Sequence, residues 1–158
     1  MAISPSIAAH RFGLGAYPGE LQALAADPAG GLWYQTQIRI PQADPDVLRR
    51  ALVAMRTAAT IEDKPARQAA LRALFKGIRQ SSRTQFDSAF AAAALSATPF
   101  VERLTWFWAN HFTVSAKGKP RVLPFAVSFV ADAIRPHVLG RFADMLIAVE
   151  QHPAMLIY

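Results

Sequence analysis

Thirty-one alanines stand against nine valines, nine isoleucines and seven threonines in this chain of 158 residues. Alanine is the best helix former, whereas β-branched side chains favour strands. No alternating apolar and polar run competes with that bias, so the sequence predicts an all-α protein, an irregular bundle of eight or nine helices with no sheet. The length suits one helical domain over residues 1–158. Hydrophobic residues make up 53% of the chain and charged residues 18%. That excludes a disordered chain, which needs few apolar residues and many charges. Eleven prolines fit an all-helical chain only at helix starts and ends, where a missing N–H costs little.

Reading those punctuation marks in order divides the chain. Short helices are predicted over Ser4 to Phe12, ended by Gly13 and Gly15, and over Gly19 to Ala26. Asp27-Pro28 opens a third, which runs to about Ile38. Pro41 to Pro45 reads as a linker, after which Asp44 or Asp46 caps a helix to Thr60 with Leu48, Leu52, Met55 and Ala59 inward. Pro65 to Gln80 and Gln85 to Ala97 read as two further helices. Leu71, Leu74, Phe75 and Ile78 form the apolar stripe of the first, and alanines crowd the second. Thr98-Pro99 starts the helix carrying Leu104, Phe107, Trp108, His111 and Phe112. Pro124 to Ile134 is predicted helical, and Pro136 then opens the last long helix, interrupted at His152-Pro153.

Several classes are excluded at this level. The chain has no cysteine, so disulfides, thiolate metal sites and cysteine nucleophiles are absent. No segment approaches the ~18 consecutive apolar residues of a membrane span. The first fifteen residues lack the basic, apolar and small-residue regions of a secretory signal, which makes a cytoplasmic location the expectation. Arg39 to Arg83 contains ten basic and four acidic residues and the remainder seven of each, so the whole net charge of +6 sits in that block. Arg72, Lys76, Arg79 and Arg83 recur there at helical spacing. Such a stripe could meet an anion, but with no recognisable nucleic-acid motif a solvated face is the plainer reading.

Three stretches carry a resemblance. They are His10-Arg11-Phe12-Gly13-Leu14-Gly15-Ala16, then Glu102-Arg103-Leu104-Thr105 with Phe107 to Ser115, and Ile134 to Phe142 with His152-Pro153-Ala154-Met155-Leu156. Together they resemble the amino-terminal part of the domain of unknown function 1800 family, a set of uncharacterised bacterial proteins. The resemblance implies a helical protein. It also implies that the chain is the amino-terminal segment of a longer one, because family members continue with an acidic Asn-Glu segment and a Glu-Leu-rich helix. The expectation is that any active site would be completed by that missing carboxy-terminal half.

The candidate site residues lie mostly in those stretches. Counting from Leu104, Phe107 and Trp108 puts His111 on the buried face of its helix, beside Asn110. In a hydrolase-type enzyme His111 would be the general base and Asn110 its orienter; the plainer alternative is a hydrogen-bonded core histidine. Arg11 beside Gly13-Leu14-Gly15, Arg103, Arg135 and His137 are candidates for holding a ligand or anion. No strand precedes the glycine turn, so it does not match a dinucleotide fingerprint. His137 and His152 would stand roughly 22 Å apart along one straight helix, and no paired-histidine metal spacing occurs, so neither a metal nor a cofactor is expected. The leading expectation is a structural or binding role, followed by the hydrolase and then by an anion or nucleic-acid module using the basic 39–83 helices. A last feature is the apolar end, Met155-Leu156-Ile157-Tyr158. With the inner face of Val138 to Val149, it predicts an apolar surface over 138–158 for self-association or for a carboxy-terminal partner region.

Overall fold

The computed structural model describes residues 3–40 and 44–158. The described residues are mostly helical and contain no strand, which is the predicted class. Helix α1 (Pro5–Ile7) is capped by Ser4, whose Oγ accepts the Ile7 N–H at 3.2 Å, and widens into a π turn over Ala8–Phe12. It ends at Gly13, which turns extended, donates to the Ala9 carbonyl at 3.1 Å and has no room for a side chain, since an added carbon would meet that carbonyl at 2.6 Å. Two short helices follow, α2 (Glu20–Ala23) and α3 (Pro28–Thr36). Asp27 starts α3 by accepting the Gly30 N–H at 2.8 Å. These elements close a small core of Ala8, Ala9 and Leu24.

The expected 41–45 linker lies largely outside the described residues. Asp44, rather than Asp46, caps α4 (Pro45–Ala59) by accepting the Asp46 N–H. The inward face of α4 differs from the predicted one. Leu48, Ala51 and Met55 pack on the main core and Ala58 is buried, whereas Leu52 and Ala59 face outward. The 3-4-3 spacing from Leu48 runs through small alanines, which lets α4 lie close to its neighbours.

Two predicted helices are one. Helix α5 runs unbroken over Lys64–Ala94, 31 residues and so roughly 46 Å long. The Ser81-Ser82-Arg83-Thr84 segment does not break it, because the hydroxyls fold back onto the helix. Ser81 and Ser82 both donate to the Ile78 carbonyl, and Thr84 to that of Gln80. Side-chain bonds of this kind are compatible with a continuing helix. Leu71, Leu74, Phe75 and Ile78 are half-buried as predicted, while Arg72, Lys76, Arg79 and Arg83 stand in solvent.

Helix α6 (Pro99–His111) begins at Thr98-Pro99, but the Thr98 side chain does not cap it. Buried Gln35 of α3 does so instead, its Oε1 accepting the Phe100 N–H at 2.8 Å. After a basic loop come α7 (Leu123–Ala126), a π turn at Val130–Ile134 and a 3-10 turn at Arg135–His137. The last long helix does not begin at Pro136. Gly140 donates to the His137 carbonyl, Arg141 is extended, and α8 covers Phe142–Gln151. His137 therefore sits in a 3-10 turn, and the straight helix expected between His137 and His152 does not exist. A final turn, α9, spans Pro153–Leu156. The main core gathers Val101 of α6, Phe125, Phe129, Ala133 and Ile134, Val138, and Met145, Val149 and Ala154.

Candidate functional site

The distal half of α5 leaves the core. From Arg83 to Ala92 every residue is exposed, and only Ala93 is buried again. What this half rests on is Trp106 of α6. Phe86 and Phe90, one turn apart, each present a ring edge to the indole, with centroids 6.2 and 6.3 Å away. Edge-on pairs of this kind contribute about 0.5–1.5 kcal/mol beyond area burial. Phe86 remains 61% and Phe90 62% exposed, far more than such side chains retain when a core covers them.

Between distal α5 and the floor made by Thr105, Trp106, Val127 and Val130 runs a groove of roughly 640 Å³. That volume lies in the range of ligand-binding clefts. Trp106 also lines a second hollow of roughly 430 Å³, together with Leu14, Tyr17, Phe90 and Ser96. One indole thus serves two concavities.

Three charged groups reach the larger groove: Arg83, Asp87 and Arg135. Arg135 is engaged. Its Nη1 donates to Glu102 Oε1 at 2.8 Å, and its Nη2 to Oε2. Hydrogen bonding to the Glu102 carboxylate raises the Arg135 pKa above its ordinary value, which keeps the guanidinium charged. Glu102 is buried and the Arg135 side chain 30% exposed, so this pair locks the 3-10 turn to α6 and little of its charge is left for a ligand. Arg83 and Asp87, by contrast, enter no ion pair among the described residues.

The other sequence candidates lie elsewhere. Arg103 donates to the Gly13 carbonyl at 2.8 Å, fastening the glycine turn to α6. Arg11 is exposed and His137 half-buried. Asn110 and His111 are both exposed, contrary to the expected burial of His111. The inward face of α6 is Val101, Thr105, Trp108 and Phe112, spaced 4, 3 and 4. Phe107 and His111 lie one turn apart on its outer flank. The His111 ring packs edge-on to Trp108 and Phe112 and makes no hydrogen bond among the described residues. At the turn itself it is the Thr113 hydroxyl that donates to the Ala109 and Asn110 carbonyls. The structure does not bring His111, Arg103 and Arg135 to one place.

Sequence reasoning missed the role of His152. Its Nδ1 accepts the Ala154 N–H at 3.1 Å, which leaves the proton on Nε2, 3.4 Å from Asp132 Oδ2. With both nitrogens used and the residue buried, His152 fastens α9 to the π turn and is not a base awaiting substrate. The signal for it was the His-Pro pair, an N-cap followed by proline, whereas the Asp132 contact spans twenty residues and no local pattern shows it. Among the described residues no group of His, Asp and Glu could hold a metal ion, and no helix is long and apolar enough to cross a membrane.

The predicted 138–158 surface is divided. Val138, Met145 and Val149, expected on it, are buried in the chain's own core, whereas Phe142, Leu146, Ile147, Leu156, Ile157 and Tyr158 are exposed. Lys119 of the basic loop lies over the Tyr158 ring and donates to its carbonyl at 2.8 Å.

No curated protein and no solved structure matches this chain. Residues 7–158 match the family described as protein of unknown function (DUF1800), and the chain belongs to that family.

Proposed function

We propose that this chain is a binding domain whose contact surface is the aromatic groove between distal α5 and α6. The observation that carries the reading is the pair Phe86 and Phe90, each about three-fifths exposed and edge-on to Trp106, with Phe86 lining the groove of roughly 640 Å³ and Phe90 the neighbouring hollow of roughly 430 Å³. Apolar rings held rigidly in water beside an open groove are a standing cost unless something covers them. The long, uninterrupted α5 supplies the rigidity. A second apolar surface, from Phe142, Leu146 and Ile147, supports the same kind of role for the 138–158 region. The hydrolytic reading draws less support. A general base works through a fixed ring orientation, and no described residue hydrogen-bonds His111.

The test is titration with anilinonaphthalenesulfonate, an apolar fluorescent anion. Phe86→Ser and Phe90→Ser, both at exposed helix positions, are expected to leave the far-UV spectrum unchanged and to weaken dye binding by about tenfold, as removal of an aromatic wall would. Dye binding unaltered by both substitutions would overturn the assignment of the groove.

A further inference from the structure

We propose that the α5–α6 groove is the aromatic end of a track for single-stranded nucleic acid, whose phosphates lie along the basic stripe of α5. The proposal rests on the groove being a binding surface and names what it binds. Its warrant is that α5 is one helix. Arg72, Lys76, Arg79, Arg83, Phe86 and Phe90 follow one another at spacings of 4, 3, 4, 3 and 4. On an unbroken helix such residues share one face, and all six are exposed. A break at Ser81 would have separated the cations from the rings. Over a rise of roughly 27 Å the face presents four cations and then two aromatic rings. None of the four cations enters an ion pair among the described residues. Arg83 and Phe86 both line the groove, so the stripe leads into it, and Phe90 lines the hollow that shares Trp106.

Cations in line with exposed rings meet the two parts of a nucleotide strand, its phosphates and its unstacked bases. The planes of Phe86 and Phe90 stand at 75° and 66° to the indole, so neither ring is stacked on it and a base can lie on each. A duplex keeps its base faces covered and offers the rings nothing. A membrane-surface helix sets its charges and its rings on opposite faces, whereas here they succeed one another on one face. Asp87 is the only acid of α5, and it lines the groove beyond the last cation. A carboxylate there turns phosphate away and accepts hydrogen bonds from base amino groups.

The experiment is fluorescence anisotropy of labelled oligothymidylate and oligouridylate, each of about 12 nucleotides, titrated with the full chain over a series of salt concentrations. Binding of either supports the proposal, and the tighter of the two names the sugar. Four phosphate contacts predict a slope of log affinity against log salt of about −2.8, or roughly fiftyfold weaker binding at about 200 than at 50 mM. Arg72→Gln, Lys76→Gln, Arg79→Gln and Arg83→Gln are each expected to make the slope shallower by about 0.7. Phe86→Ser and Phe90→Ser are each expected to weaken binding by about tenfold and to leave the slope unchanged, because stacking releases no counterions. Far-UV spectra check that every variant is folded. No binding at ~100 μM chain in low salt, where even non-specific complexes form, overturns the proposal. So does binding indifferent to both phenylalanine substitutions. A blunt duplex, or vesicles of phosphatidylserine and phosphatidylcholine, bound as tightly as the single strands overturns it too. In each case dye binding that still depends on Phe86 and Phe90 leaves the binding-domain reading standing, and its loss removes both.

Discussion

Glu102 and Arg135 meet through two parallel hydrogen bonds, with the carboxylate buried inside α6 and the guanidinium at the end of the π turn. The pair does for the middle of the molecule what His152 and Asp132 do for its end. Each fastens an irregular turn to a regular helix, at a point where backbone hydrogen bonding alone leaves the chain free to choose another path.

Removing one partner of that pair leaves a charge without compensation. Arg135→Ala strands the Glu102 carboxylate, 5% exposed, and is expected to lower the unfolding free energy by roughly 3 kcal/mol, the low end for a buried pair because Arg135 keeps some contact with water. Glu102→Gln leaves a neutral acceptor and is expected to cost less. Because the Arg135 pKa is raised in the folded state, the stability it contributes is complete below its unfolded value and is lost only as pH climbs through the folded one. From neutral to moderately alkaline pH the pair's contribution should be flat. Urea midpoints of both variants across that range check the statement.

His152 has a distinct signature. With Nδ1 accepting the Ala154 N–H, the ring must be the Nε2–H tautomer, which nitrogen chemical shifts report directly. His152→Asn keeps an acceptor for the cap, whereas His152→Ala removes it and leaves Asp132 without its partner. The alanine variant is expected to be the less stable by about 1–2 kcal/mol. Equal stability of the two would mean that the cap contributes nothing.

Asp44 titrates below the ordinary aspartate value. The N–H of Asp46 is the main cause, and the Arg50 side chain adds to it. A depressed carboxyl stabilises the fold above its unfolded pKa, and that contribution disappears as pH falls through the lower, folded value. The start of α4 should therefore hold through mildly acidic pH and fray only below the usual aspartate range. A carboxyl titration of Asp44 followed by NMR, with the Asp46 amide as a second probe, is the check. A midpoint at or above the ordinary value would contradict the cap.

Two glycines should respond in opposite directions. Nothing lies within 4 Å of where a Gly77 side chain would project, and the residue is in the interior of α5. Gly77→Ala is expected to stabilise by about 0.5–1 kcal/mol. At Gly13 the added carbon would meet the Ala9 carbonyl at 2.6 Å, backbone that cannot move aside without opening the π turn. Gly13→Ala is expected to destabilise. Thermal melts of the two variants should shift in opposite senses.

The all-helical class and most helix starts were legible in the chain itself, because alanine content and the Asp27-Pro28 and Thr98-Pro99 signals act over three or four residues. The solvated state of Arg72, Lys76, Arg79 and Arg83 was legible for the same reason. Where two signals of similar size competed, the local reading failed. Four polar residues at Ser81 to Thr84 looked like a break, yet the hydroxyls of Ser81, Ser82 and Thr84 bond back to α5. Pro136 looked like a helix start, yet the chain turns at Gly140. His111 was misplaced because a three-residue count from Trp108 and a four-residue count to Phe112 describe neighbouring faces, and only packing selects between them. The groove, the Glu102–Arg135 pair and the Gln35 cap on α6 could not be read at all. Each joins residues far apart in sequence, thirty-three for the ion pair and sixty-five for the cap. The local sequence determined which segments become helices; which faces of those helices meet, and so where Phe86 and Trp106 leave a groove open, was decided by the burial of the core, a property of the whole chain.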